Sequence, residues 1–279
     1  PSTNSYTDSP AQVARYYYYV MSVNNLGDSN PSDTLYAYPS KIWYVEMDGD
    51  DSKDGKSKAT AFKTIEQAIK TNSSLATGDT IYVGPSISSA NPTRYKGGGG
   101  YYDFGGSKSD LNLNHNKNFV LIGTSGADST IFNAEGNGRH FTLDDGQSSA
   151  TKFIGITFYN GKLDDATEGG SIRMSNNTSI QFISCVFDSN RVDFGFGESS
   201  DNYAYGGAIT ISSSSSPYFE SCSFINNWAA GIYGYGGALR LNSANSEDTF
   251  KDTIKIVNSI FRGNYVQTNQ GGYGGAIYN

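Results

Sequence analysis

The stretch FISCVFDSN, Phe182–Asn190, decides the fold because the chain writes it again and again. FIGITFYNG at Phe153–Gly161, FESCSFINN at Phe219–Asn227 and IVNSIFRGN at Ile256–Asn264 align with it without a gap. Phe153, Phe182, Phe219 and Ile256 form one column, and Phe158, Phe187, Phe224 and Phe261 a second. Between them runs a column of Ile156, Cys185, Cys222 and Ser259, and at the end one of Gly161, Asn190, Asn227 and Asn264. Copies separated by 29 residues (Phe153 to Phe182) to 37 residues (Phe219 to Ile256), each with short strands and turns, are the pattern of a β-solenoid. One turn of such a chain cannot bury its apolar face alone. Turns stacked at ~4.8 Å bury a continuous core and pair every strand.

A second phrase keeps the same period. EGGSIRM at Glu168–Met174, YGGAITI at Tyr205–Ile211, YGGALRL at Tyr235–Leu241 and YGGAIYN at Tyr273–Asn279 each place two glycines before an alternating strand. The glycines permit a tight turn, after which Ile209, Ile211, Leu239 and Leu241 point inward. Arg173, Thr210, Arg240 and Tyr278 then point outward in one column. The Asn column is expected at a bend that favours a left-handed residue, its amides bonded up and down the stack.

Composition agrees with an all-β chain. Thirty-three glycines, 21 tyrosines and only 17% charged residues in 279 suit short strands and turns. A net charge of -7 argues against nucleic acid, whose phosphates require clustered Lys and Arg. No apolar run reaches the ~20 residues of a membrane span. Cys185 and Cys222 fall in one inward column, at a spacing a disulfide tolerates, yet interior geometry favours a free, buried pair.

Upstream of the repeats, RYYYYVMSVNNLGDSNPSDTLYAYP at Arg15–Pro39 alternates like a strand, turns at Asn24-Asn25-Leu26-Gly27 and returns. This resembles the last two strands of a fibronectin type III domain, which implies that residues 1–39 are its C-terminal part and that the natural polypeptide extends upstream. Residues 40–85 form a junction with an Asp-rich loop, a helix candidate around Thr64–Ile69 and a strand at Thr80–Val83. Its text, ATAFKTIEQAI followed by GDTIYV, resembles the entry to many extracellular right-handed parallel β-helix proteins, where a short amphipathic helix caps the first coil. The GGAI and F-x-x-N repeats of residues 86–279 resemble polymorphic outer-membrane proteins and other adhesin-type β-helices. The likeness implies a right-handed coil, and coils continuing beyond Asn279.

Three constellations are candidates for chemistry. Asp50, Ser52 and Asp54, with Asp48 nearby and Gly55 following, space oxygen ligands as calcium loops do, although Ala61 stands where an EF-hand needs its last acid. The alternative is a solvated turn. Arg173 and Arg240 on one outward column, with Asp164 and Asp165, are the set a calcium-assisted polysaccharide lyase or a hydrolase would use. Asp144 and Asp145 form another acidic pair, but adjacent strand residues diverge, and His115 and His140 stand in unrelated contexts. Aromatic loops between the Asn column and each Gly-Gly form a third set: Phe194, Phe196, Tyr203, Tyr205, Trp228, Tyr233, Tyr235, Tyr265 and Tyr273. They emerge on one edge and either bind sugars or proteins through their faces, or pack upon one another.

The expected function is a non-enzymatic extracellular or cell-surface module of a larger bacterial protein. It would act in adhesion, in glycan or surface-protein binding, in self-association into a filament or surface layer, or as a stiff spacer. The alternative is a calcium-assisted lyase or glycoside hydrolase acting on an acidic polysaccharide.

Overall fold

The computed structural model describes residues 16–37, 40–72, 74–86, 102–103, 111–113, 115–164, 168–195, 202–241 and 254–279. Among these residues the strands of the coils form four parallel sheets, the first three gathering one strand from each successive turn of chain. The first runs from Ile42–Val45 through Thr80–Val83, Val120–Gly123, Lys152–Ile154, Gln181–Ile183 and Tyr218–Glu220 to Lys255–Val257. A second ends in Thr157–Tyr159, Val186–Asp188, Ser223–Ile225 and Ile260–Arg262. A third ends in Ile172–Met174, Ile209–Ile211, Leu239–Leu241 and Ile277–Tyr278. In the fourth, Trp228–Tyr235 joins Arg191–Asp193 and Tyr203–Tyr205 on one side to Tyr265–Tyr273 on the other. The protein is an all-β solenoid of parallel coils.

Register matches the columns of the sequence. Phe153 pairs with Phe182 and Phe182 with Phe219, while Phe158, Phe187, Phe224 and Phe261 pair in turn. The rings of Phe158, Phe187 and Phe224 stack at 4.9 Å with planes within 11°, and Phe224 meets Phe261 at 4.6 Å. Each fully buried Phe contributes roughly 1.5–3 kcal/mol, and each ring pair about 0.5–1.5 kcal/mol beyond area. Phe153, Phe182 and Phe219 line the same core beside Cys185 and Cys222.

The corners differ from the sequence expectation in one respect. Left-handed φ angles fall on the residue before the Asn column, at Asn160 (55°), Ser189 (57°) and Asn226 (53°), not on the column itself. Asn190 and Asn227 are buried instead, and with Asn264 their amides build a ladder. Asn227 Nδ2 donates to Phe187 O and to Asn264 Oδ1, and Asn190 Nδ2 donates to Phe158 O and to Asn227 Oδ1. Short polar residues serve at the turn because they tolerate positive φ; the next position is selected for a side chain that can bond in both directions.

Gly206 and Gly207 show why the doubled glycine recurs. Gly206 has φ +58°, and a Cβ on Gly207 would collide with the carbonyl oxygens of Gly237 and Trp228 on the adjoining coil and strand. The first glycine makes the turn, and the second admits neighbouring backbone.

At the start of the solenoid the expected helix is a π-helical turn, Gln67–Thr71, closed by Asn72 N–H donating to Gln67 O. Ile65, Ala68 and Ile69 are buried in the core with Phe62. Asp79 is buried as well, its carboxylate accepting from Trp43 Nε1 and from the Lys41 and Ala76 N–H groups. Farther upstream, Tyr16–Tyr18 pairs antiparallel with Leu35–Ala37, the expected hairpin, and leaves Tyr17, Tyr19 and Leu35 exposed.

Candidate functional site

Glu168 occupies the place of Tyr in the first Gly-Gly phrase, and its backbone bridges in parallel to Tyr205. Tyr205 pairs with Tyr235, and Tyr235 with Tyr273, so the four residues make one outward column. The strand after the glycines sets a second column beside it: Arg173, Thr210, Arg240 and Tyr278. Arginine column and aromatic strip, separate in the sequence, are thus parts of one face.

The arginines on that face are already engaged. Arg173 Nε lies 3.2 Å from Glu168 Oε2, and Arg240 Nη1 3.2 Å from Glu168 Oε1. Asp144 adds a looser contact at 3.8 Å to Arg173. Arg240 reaches Glu168 by crossing the face of Tyr205, with its guanidinium carbon 3.7 Å from the ring centroid. Thr210, small and buried between the arginines, leaves that path open and donates its hydroxyl to Tyr205 O. Burial raises the Tyr205 phenol above its usual pKa, with Arg240 opposing. One carboxylate therefore clamps two guanidiniums that stand two coils apart.

The aromatic strip is real, and its rings stack upon one another. Tyr203 stacks on Tyr233 at 5.0 Å, Tyr205 meets Tyr235 at 5.2 Å, and Tyr235 stacks on Tyr273 at 5.1 Å. Trp228 lies between the Arg191 guanidinium, 5.1 Å from its ring, and Tyr265, stacked at 5.7 Å. Phe194 packs against the small cluster of Val192, Ala204 and Ala229. Phe196 and Asp165 lie outside the described residues. Because the in-register coils align ring planes across the axis, neighbouring faces cover one another in the ladder, and Tyr233 donates its hydroxyl to Gln270 Oε1.

The Asp-rich loop spends its oxygens locally. Asp50 Oδ1 accepts from Ser52 N–H and Oγ–H, and these bonds hold its carboxyl below the usual range. Asp54 is lowered likewise, first by the Thr60 hydroxyl and then by Lys56 N–H. Asp51 accepts from the N–H groups of Lys63 and Thr64 and from Thr64 Oγ1, tying the loop to the π-helical turn. Among the described residues no group of three or more His, Cys, Asp or Glu side chains is placed to hold a metal ion. Asp164 is bound to Lys162 at 2.9 Å. His140 is buried, donating from Nε2 to Phe132 O and accepting at Nδ1 from Ser171 Oγ; its burial lowers the imidazole pKa to about 4.

No protein-family model and no curated protein matches the chain. Among solved structures it is similar to one named as a rhamnogalacturonan lyase, at 12% identity and a TM-score of 0.38. That alignment covers 84% of this chain and 66% of the other.

One residue that matters here was not singled out in the sequence. Glu168 could have been found as the one departure from Tyr in a column lying beside two arginines.

Proposed function

We propose that this chain is a non-catalytic, right-handed β-helix module of an extracellular or cell-surface protein. It presents its flanks to a glycan or protein partner and holds them on a stiff axis. In this reading residues 1–39 are the end of a fibronectin type III domain, and the π-helical turn closes the first coil. The observation that carries the proposal is the Arg173–Glu168–Arg240 clamp. A lyase working on this face would need one of these cations to approach a substrate carboxylate or proton, and both are ion-paired to Glu168 of the same chain, with Asp144 also near Arg173. The ladders themselves suit a spacer, since stacked rings, amides and ion pairs tie each coil to the next.

The test is incubation with pectate, alginate and chondroitin, with and without calcium, followed by ultraviolet and reducing-end assays. No turnover is expected. Turnover that Arg173→Ala or Arg240→Ala abolishes would refute the non-catalytic reading.

A further inference from the structure

The sequence contains two Asn-Gly steps, Asn137-Gly138 and Asn160-Gly161. A glycine after asparagine carries no Cβ, so its backbone nitrogen can reach the asparagine carboxamide carbon and attack it. The fold treats the two steps differently. Asn160 is held in the left-handed region at φ 55°, and its Oδ1 accepts from Arg191 Nη1 at 2.8 Å. The nitrogen that would attack it belongs to the buried Gly161 and donates to Asn190 Oδ1 in the interior, also at 2.8 Å. Carboxamide and nucleophile are both restrained there.

Asn137 lies in the turn between the strands Ile131–Asn133 and Phe141–Leu143. Its side chain is exposed and makes no hydrogen bond among the described residues. The nitrogen of Gly138 donates to Lys162 O at 3.0 Å, and Lys162 N–H returns the bond to Gly138 O. These two bonds make a lone antiparallel bridge, with no ladder on either side of Gly138. Opening a lone bridge at a surface turn costs far less than opening a strand of the stack, and it frees a nucleophile beside an unrestrained carboxamide.

We propose that Asn137 is a site of spontaneous deamidation, with water as the co-reactant. The Gly138 nitrogen bonds to Asn137 Cγ, the Cγ–Nδ2 bond breaks, and the amide group leaves as ammonia with the proton of Gly138. Water then opens the five-membered imide at one of its two carbonyls. One opening yields aspartate; the other yields isoaspartate, whose main chain runs through the former side chain. Both products place a carboxylate on a turn with cationic neighbours, since Lys162 is bridged to Gly138 and Arg191 Nη2 packs against Gly136. Only isoaspartate lengthens the backbone by a methylene, and that displaces the Gly138–Lys162 bridge. The proposal is independent of the module reading.

Ageing the folded chain in mildly alkaline buffer, with a parallel sample in urea, tests it by peptide mapping for a gain of about 1 Da. Both steps should convert in urea. In the folded chain Asn137 should convert at least about tenfold faster than Asn160, because the bonds to Arg191 and Asn190 must break before Asn160 can react. Asn137→Gln should remove the change at that turn. Chain carrying isoaspartate should exchange the Gly138 and Lys162 amide hydrogens faster than an Asn137→Asp variant, which has the charge without the extra methylene. No conversion at Asn137 in the folded chain, equal rates at the two steps, or an isoaspartate form whose bridge exchanges as slowly as that of Asn137→Asp would overturn the proposal.

Discussion

Glu168 and Arg240 are 72 residues apart in sequence and two coils apart in the stack, yet their side chains meet at 3.2 Å across the face of Tyr205. The contact ties the first Gly-Gly phrase to the third. It also converts two arginines that look like catalytic candidates into parts of the scaffold.

Glu168→Gln should therefore destabilise the chain, because it removes the carboxylate that Arg173 and Arg240 share and leaves only the looser contact of Asp144, 3.8 Å from Arg173. Since the cluster is partly solvated, the expected loss is about 1–2 kcal/mol, read as a lower urea midpoint at unchanged slope. A midpoint equal to wild type would show that the clamp contributes nothing.

Asn227 carries a heavier duty for its size. Its amide donates to Phe187 O and Asn264 Oδ1 while its oxygen accepts from Asn190 N–H and Nδ2, and all but the bond to Asn264 are fully buried. Asn227→Ala strands several buried polar groups, each worth roughly 1–3 kcal/mol, and should unfold at markedly lower denaturant. Asn226→Gly, at the left-handed position beside it, should be close to neutral.

Acid should weaken the fold through His140. In the folded chain its pKa is lowered to about 4, against an ordinary value of 6.5. The unfolded chain therefore takes up a proton first as pH falls. His140 imposes no proton-linked penalty above pH 6.5, and stability declines from there toward pH 4, by about 3 kcal/mol in total. His140→Gln should flatten the stability-versus-pH curve across that window. An equally steep curve in the variant would assign the effect elsewhere.

Cys185 and Cys222 are free and buried, and burial raises both thiol pKa values, that of Cys222 to about 11. Neither should react with a thiol reagent at neutral pH until denaturant is added, when two equivalents should label together. Rapid labelling of either in the folded chain would mean that the first and second sheets part locally.

The Asp48–Asp54 loop is predicted to act as a turn that anchors the π-helical segment. A chelator should leave the melting temperature where it was, whereas Asp51→Ala should lower it by removing three hydrogen bonds to Lys63 and Thr64. A fall in melting temperature on chelation, restored by calcium, would make the loop a cation site.

The sequence made the solenoid readable because its columns are chemical: Phe158, Phe187, Phe224 and Phe261 must share an environment if coils stack. It did not disclose the roles of side chains that act between columns. Glu168 reaches Arg240 only because Thr210 is small and Tyr205 flat, a relation set by side-chain length and register, not by a motif. The tyrosines illustrate the same limit. Composition identified a strip, but whether faces or edges met solvent depended on ring planes that only packing sets. Asn190 and Asn227 were placed in the right column and assigned the wrong backbone role, since a left-handed residue and a ladder residue can both be Asn.

Aromatic-selective NMR on chain labelled at phenylalanine tests the stacked interior most directly. The account predicts ring-to-ring cross-relaxation from Phe158 to Phe187, from Phe187 to Phe224 and from Phe224 to Phe261, whose centroids are 4.6–4.9 Å apart. None is predicted between Phe158 and Phe261, three coil steps distant. Absence of the neighbouring contacts, or ring shifts typical of solvent, would contradict it.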